Sequence, residues 1–122
     1  MGYIVIEAGN GEIEGTFYEA RLGSDTIRGM GDSPPYDYPL NDLSFTPSTA
    51  IVTQAGMDGG NGGWAVLYGD DPLPPTWVDL AIDEDWVRDS ESSHTTEQVG
   101  YVVFEEQQFP ITIEGESCQY VQ

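Results

Sequence analysis

Short runs of apolar, β-branched and aromatic residues, separated by turn signals, make up most of the chain. In TWVDLAI at 76–82 the apolar residues alternate, which places Val78, Leu80 and Ile82 on one face of a strand. No apolar stripe at helical spacing persists for three turns. The pattern predicts strands, which are placed at 2–7, 12–21 (interrupted at Gly15), 24–29, 50–55, 64–69, 76–82, 97–105 and 109–114.

Glycine and proline mark the segments between these strands. Gly9-Asn10-Gly11 predicts a turn, and the prolines of GDSPPYDYP predict a loop at 31–39, because proline cannot donate a ladder hydrogen bond. DGGNGG at 58–63 holds too many glycines for a regular element. DDPLPP predicts a turn at 70–75, and the polar run at 83–96 predicts a long loop.

Strands that are short and regularly spaced are typical of antiparallel β-sandwiches and small barrels. At 122 residues the chain has room for one domain with one core. We therefore expect an all-β, antiparallel β-sandwich. The alternative that the same pattern allows is a more open Greek-key barrel.

The net charge is the most informative compositional feature of the chain. The chain has 22 acidic residues against 3 arginines, no lysine, and a formal net charge of -19. At about 1 M salt the Debye length falls to about 3 Å, so repulsion that destabilises the fold in dilute buffer is largely screened. The acids are dispersed from Glu7 to Glu116, whereas acidic tails are clustered. The composition resembles that of proteins from salt-in haloarchaea and their viruses.

The same composition argues against several classes of function. Nucleic-acid binding needs a basic patch that this chain lacks. No run approaches the roughly 18 apolar residues of a membrane span, so no membrane insertion is expected. The single cysteine, Cys118, allows no internal disulfide. The single histidine, His94, is flanked by serines in a loop, which does not predict a triad, so we expect no enzyme.

One internal echo connects the two ends of the chain. GYIVIE at 2–7 and GYVVFE at 100–105 share the order Gly-Tyr-apolar-Val-apolar-Glu. Two core strands can look alike by chance. Alternatively, the first segment derives from a boundary between tandem copies and is free to pair locally or with a neighbouring chain.

Three segments between 45 and 105 resemble the H-type lectin domain and its bacterial and archaeal relatives. They are F-T-P at 45–47, LAIDED at 80–85 and HTTEQVGYVVFE at 94–105, of which the last is the most specific. The resemblance implies a six-stranded antiparallel β-sandwich that often forms trimers and binds sugars such as N-acetylgalactosamine. It divides the chain into N-terminal strands and an arm at 1–44, a lectin-like core at 45–114 and a C-terminal tail at 115–122.

A lectin site stacks an aromatic ring on the sugar and brackets its hydroxyl groups with charged or amide side chains. The resemblance implies that His94 matches the histidine of the family's site, and it makes Arg88 a possible match for the family's arginine. His94 can equally be structural and hold the start of the strand at Glu97, and a tryptophan can equally belong to the core. The sugar-site residues that we consider are Asp58, Asn61, Trp64, Trp86, Arg88 and His94.

Adjacent carboxylates after the strand at 76–82 suggest a metal site. Asp83, Asp85 and Asp89 offer the hard oxygen ligands that calcium prefers. No EF-hand spacing is present, and in so acidic a chain neighbouring carboxylates are also expected by chance. Calcium is therefore the one cofactor that the sequence suggests.

These observations favour a structural protein of a haloarchaeal virus particle. The N-terminus lacks a secretory signal, and a virion component made in the host cytoplasm needs none. A capsid turret or decoration, a tail fibre or a baseplate element would fit. Its expected partners are further copies of itself, with a trimer favoured, other virion proteins and host surface glycans. The alternative is a cellular carbohydrate-binding module or adhesin at the surface of a halophilic archaeon.

Overall fold

Two antiparallel sheets form the fold in the computed structural model, which describes residues 2–42, 44–87 and 90–106 and the backbone of 112–113 and 116–117. The first sheet has the order β1-β2-β7-β4, and the second has the order β3-β6-β5. The strands are β1 Gly9–Ile13, β2 Thr16–Ile27, β3 Tyr36–Pro39, β4 Pro47–Gln54, β5 Gly63–Leu67, β6 Trp77–Glu84, β7 Glu97–Glu105, β8 Thr112–Ile113 and β9 Glu116–Ser117. No α-helix occurs in these described ranges, and so none could span a membrane there.

The all-β prediction is therefore confirmed, and most predicted strands lie within one to three residues of an observed one. β4 begins at Pro47, earlier than predicted, and β6 extends to Glu84. The predicted strand at 24–29 is the end of β2. The prediction for 109–114 lies largely outside the described residues, where only the pair of β8 with β9 is recorded.

The first hairpin turns at a different place from the predicted one. Gly9, Asn10 and Gly11 belong to β1 and pair with Ala20, Glu19 and Tyr18 of β2, so the turn prediction at 9–11 is wrong. The chain reverses at Glu14 and Gly15, whose φ angles are 49° and 84°. Pairing with the long strand β2 overrides the low strand propensity of the two glycines.

The prediction of a strand at 2–7 is also wrong, because this segment forms no regular strand. The chain bends at Ala8, just before β1, and the segment lines a groove together with residues of the first sheet. Here and below, residues 2–8 are called the arm. The apolar residues of the arm are therefore not those of a strand paired within this sheet.

The predicted loop at 31–39 contains a strand. Met30–Asp32 form one turn of 3₁₀ helix, and β3 follows at Tyr36–Pro39. β3 pairs with β6 at the edge of the second sheet, where the missing N–H of Pro39 costs no ladder bond. The prolines correctly indicated the end of the preceding strand, but they gave no sign of the edge strand β3 that follows.

One core lies between the two sheets. Tyr38 of β3 and Tyr101 of β7 stack across it with their ring centroids 5.9 Å apart. The ring of Tyr38 lies so close to Gly23 that an added Cβ there would overlap it. The buried cluster comprises Ile27, Tyr38, Leu40, Phe45, Val78, Leu80, Ile82, Val99, Tyr101 and Val103. Residues from before and after position 45 therefore share a single core.

Candidate functional site

Two loops that contain candidate site residues lie against each other at one end of the structure. The glycine-rich loop at 56–62 lies between β4 and β5, and the loop at 90–96 leads into β7. The N–H of Asp85 donates to the carbonyl of Gly62 at 2.8 Å, and that of Gly31 donates to Ser92 at 2.8 Å. These backbone bonds hold the loops against each other around His94.

His94 is buried between two glutamates. Its Nδ1 is hydrogen-bonded to Glu84 Oε1, and its Nε2 lies 2.9 Å from Glu97 Oε1. The side chains are 1%, 2% and 0% exposed for His94, Glu84 and Glu97. Both ring nitrogens therefore have carboxylate partners, and the three residues form what we call the buried triad.

The glycine-rich loop closes over the triad. The backbone N–H groups of Asp58 and Gly59 donate to Glu97 Oε1 at 2.9 and 3.0 Å. A Cβ at Gly59 would overlap the His94 ring, so only glycine permits this approach. From the other side, the N–H of His94 donates to Asp32 Oδ2 at 2.9 Å.

The surroundings of the triad favour its charged form. Burial by itself would lower the pKa of His94, but the hydrogen bonds and charges of Glu84 and Glu97 outweigh it and leave that pKa raised. Burial would raise the pKa of Glu97, but the N–H of Gly59, the His94 ring and the N–H of Asp58 leave it lowered. The geometry places one imidazole ring between two carboxylates, and these pKa shifts favour the imidazolium form.

A third buried carboxylate, Glu19 of β2, joins the first sheet to the corner at 41–42. It accepts bonds from the N–H groups of Asn41 and Asp42, at 2.9 and 2.7 Å, and from the hydroxyl of Tyr101 at 3.1 Å. Burial would raise the pKa of Glu19, but the bonds from Asp42, Asn41 and Arg21 leave it lowered. The role of Glu19 is to satisfy backbone donors inside the fold.

The residues proposed from sequence for a sugar site divide into buried and exposed groups. His94 is 3% exposed, whereas Trp64 and Trp86 are 51% and 66% exposed. Asp58 is exposed in the glycine-rich loop, and Asn61 lines a cavity of about 270 Å³. Arg88 lies outside the described residues. The structure therefore places Asp58 and Asn61 in the loop above the buried triad.

Trp86 also lies at this end of the structure. Its Nε1 donates to Ser92 Oγ at 3.1 Å, which joins the end of β6 to the loop at 90–96. Asp85, the residue before it, lines the same cavity as Asn61. Exposed aromatic and polar groups are thus present here, while the one histidine is covered.

Two of the three proposed calcium ligands, Asp83 and Asp85, lie half-buried at the surface of the second sheet. Asp83 is paired with Trp64 across β5 and β6, and strand alternation points it away from the core, opposite to Glu84. Asp85 follows at the end of β6, and Asp89 lies outside the described residues. In the part of the chain that the structure describes, no three His, Cys, Asp or Glu side chains form a group that could hold a metal ion.

The two outer faces of the fold differ in charge. The outer face of the second sheet carries Asp37, Asp79 and Asp83 at alternating positions of β3 and β6. Burial raises the pKa of Asp79, and the neighbouring carboxylates of Asp37 and Asp71 raise it further, against a lowering bond from Trp77. This face therefore carries concentrated negative charge.

Among the described strand positions, the outer face of the first sheet carries no carboxylate in its central part. Strand pairing aligns Ala20 with Val102 and Ile51 with Val102, and it aligns Tyr18 with Phe104. The group that we call the apolar face comprises Ile13, Leu22, Ile51, Val102 and Phe104. Of these, Ile13, Leu22 and Ile51 are 50%, 58% and 56% exposed.

The sequence alternative of a structural His94 that holds the start of the strand at Glu97 agrees with the bond between these two residues, but sequence reasoning missed Glu84 and the apolar face. Alternation could have indicated Glu97, since it shares the inward parity of Val99, Tyr101 and Val103. Glu84 likewise shares the parity of Leu80 and Ile82. Because the chain has 22 acidic residues, the sequence alone did not distinguish these two glutamates from the exposed ones.

No protein-family model matches the chain, and comparison with curated proteins and with solved structures finds no match. The resemblance to H-type lectins thus rests on the residues quoted for it.

Proposed function

We propose that this chain is a non-catalytic structural protein of a haloarchaeal virus particle, a capsid turret or decoration or a tail-fibre or baseplate component. The observation that carries the proposal is the contrast between the outer faces. The outer face of the second sheet carries Asp37, which is exposed, and Asp79 and Asp83, which are half-buried, beside the partly exposed rings of Trp64 and Trp77. The outer face of the first sheet is apolar and shares a groove with the apolar arm. Exposed contiguous apolar surface usually marks a contact site. A subunit with one hydrated side and one contact side suits a particle surface.

Composition supports the setting of concentrated salt. With a net charge of -19 and no lysine, electrostatic repulsion acts on both folding and association in dilute buffer. Molar salt screens that repulsion at distances beyond a few ångströms. The acidity is therefore compatible with close packing of many copies only in brine.

The buried triad supports a structural role over a catalytic one. A general base must reach the proton that it abstracts, and the His94 side chain is 1% exposed with both nitrogens bonded to glutamates. The only other carboxylate as deeply buried among the described residues, Glu19, is occupied by backbone donors and Tyr101. These polar groups stabilise the fold.

The direct test is mass spectrometry of virions purified in brine from a haloarchaeal culture that carries this gene. We expect the chain at a stoichiometric multiple of a capsid or tail protein, and capsid, portal or tail genes beside its own gene. Absence from particles, together with a neighbourhood of glycan-metabolism or secretion genes, would overturn the proposal.

A second candidate function is glycan binding by an H-type lectin-like fold, as a host-attachment site or in a cellular adhesin. It is favoured by the exposed ring of Trp86, whose neighbour Asp85 donates its N–H to Gly62 in the loop that carries Asp58 and Asn61. A glycan array in molar KCl would compare the wild type with Trp86→Ala. Trp77→Ala is the matched control, because Trp77 is 43% exposed at the opposite end of β6. Binding lost only in Trp86→Ala would support this function, whereas no binding to any sugar would exclude it.

Calcium binding is a separate question for the same end of the structure. Isothermal titration with calcium in molar KCl would compare the wild type with Asp83→Asn/Asp85→Asn. Heat that disappears in the double variant would support a site there. No heat above the salt baseline would remove calcium from the proposal.

A further inference from the structure

The arm and the apolar face together bound an open groove. Its volume is about 960 Å³. The arm contributes Tyr3, Ile4 and Ile6, and the sheet contributes residues of β1, β2, β4 and β7, among them Ile13, Leu22, Ile51, Val102 and Phe104. The arm and the apolar face thus line the same groove.

The arm itself is unusually exposed for its composition. Tyr3, Ile4 and Val5 are 86%, 83% and 84% exposed. Exposed apolar residues are common on protein surfaces when they are isolated, but these three are consecutive. Burying such side chains fully would contribute favourable free energy for each residue. Among the residues that the structure describes, the arm therefore has no partner that buries most of its apolar surface.

We propose that the groove on the apolar face is occupied by the arm of a second copy of this chain, so that copies associate by exchanging residues 2–8. This inference rests on the proposed structural role and names the partner and the segment that make the contact. Both halves of the contact, an apolar arm and an apolar groove, are present on every copy. A contact of this kind is self-complementary and closes between identical subunits.

The sequence of the arm fits the sheet that would receive it. Its order GYIVIE matches GYVVFE at 100–105, which is the central strand β7 of the same sheet. In β7 the alternate residues Val102 and Phe104 already pack on the apolar face between β2 and β4. Because the arm has the same alternation as β7, its side chains are similar in size and polarity to those that already pack on the apolar face.

Charge favours a second copy at this face and disfavours it elsewhere. A copy with a net charge of -19 is repelled by the aspartates on the outer face of the second sheet. The central part of the apolar face has no carboxylate among its described strand positions. Like-charged copies can therefore meet there once salt screens their longer-range repulsion.

Gly9 lies at the junction between the arm and β1. Its φ is +144°, and an added Cβ there would meet no atom within 4 Å. The conformation, and not steric space, thus requires glycine. A substitution there would strain the backbone at this junction, where Gly9 pairs with Ala20.

The test is sedimentation velocity in molar KCl over a wide range of protein concentration. We expect the wild type to associate, and Ile51→Asp on the face and Ile4→Asp in the arm each to weaken association at least about tenfold. The matched control is Trp64→Asp, since Trp64 is equally exposed (51%) but lies on the outer face of the second sheet. Far-ultraviolet circular dichroism would show that each variant is folded.

A second measurement needs no substitution. Amide hydrogen exchange of the wild type at low and high concentration should show protection of residues 2–8 that rises with concentration, together with protection on the apolar face. A wild type that stays monomeric throughout would overturn the proposal and leave the groove to a different apolar partner. Equal disruption by Trp64→Asp and Ile51→Asp, or insensitivity to Ile4→Asp, would also overturn it.

These outcomes are separable from those of the virion test. A chain that is found in particles but does not self-associate would refute the arm exchange and leave the structural role standing. A chain that exchanges arms but is absent from particles would refute the structural role in a virion and leave the arm exchange standing.

Discussion

Nε2 of His94 lies 2.9 Å from Oε1 of Glu97, and that same oxygen accepts the backbone N–H groups of Asp58 and Gly59. One carboxylate oxygen thus connects the loop before β7 to the loop after β4. The residue that a lectin-like reading would place at a sugar is, in this fold, covered by glycine and bonded on both sides. The loops at this end are held by a buried charge network whose stability depends on pH.

The first prediction concerns the protonation of His94. Because Glu84 and Glu97 raise its pKa in the folded protein, NMR of the single imidazole should show a titration midpoint above the unfolded value of about 6.5. This contribution to stability is complete below about pH 6.5 and is lost as pH rises through the folded pKa. A midpoint at or below 6.5 would contradict the bridging geometry.

The acid side should show the opposite behaviour. The pKa values of Glu97 and Glu19 are lowered in the folded protein. Their contribution is complete above the unfolded glutamate value of about 4.3 and is lost as pH falls through the folded values. Denaturant unfolding in molar KCl should therefore give maximal stability between about pH 4.3 and 6.5. A free energy of unfolding that keeps rising above this window would contradict the prediction.

Replacing Glu97 should unfold the end that carries the loops. Glu97→Gln removes the charged acceptor of His94 Nε2 and of the N–H groups of Asp58 and Gly59, and removing one partner of a buried pair costs about 3–5 kcal/mol. The matched control is Glu12→Gln, because Glu12 is exposed on β1 and should change the free energy of unfolding by less than about 0.5 kcal/mol. Equal effects of the two substitutions would show that the triad adds no stability.

Two neighbouring glycines offer a sharper comparison. A Cβ at Gly59 would overlap the His94 ring, whereas one at Gly60 would meet nothing within 4 Å. Gly59→Ala should destabilise the fold by about 1–3 kcal/mol, as overpacking does, and Gly60→Ala should be close to neutral. Thermal unfolding followed by tryptophan fluorescence would measure both. The prediction fails if both variants melt with the wild type.

Salt should control folding through screening. Lowering KCl from molar to about 0.1 M lengthens the Debye length from about 3 to about 10 Å, which restores repulsion among 22 acidic residues. Circular dichroism should show loss of the β-sheet signal or a large drop in the melting temperature. Replacing KCl by a non-ionic osmolyte at equal osmolality is the control and should not rescue the fold. A melting temperature independent of ionic strength would refute the electrostatic explanation.

The sequence by itself determined the all-β class, the approximate positions of β4 to β7 and the acidity, because period-2 alternation and composition are local properties. It misplaced the first turn and the strand at 2–7, since an apolar run does not say what will cover it. Only tertiary structure decided that Gly9–Ile13 pairs with β2 and that residues 2–7 line a groove with the first sheet as an arm. Likewise, nothing local distinguishes Glu97, Glu84 and Glu19 from the exposed acids. Their donors lie 2 to 82 residues away in the chain.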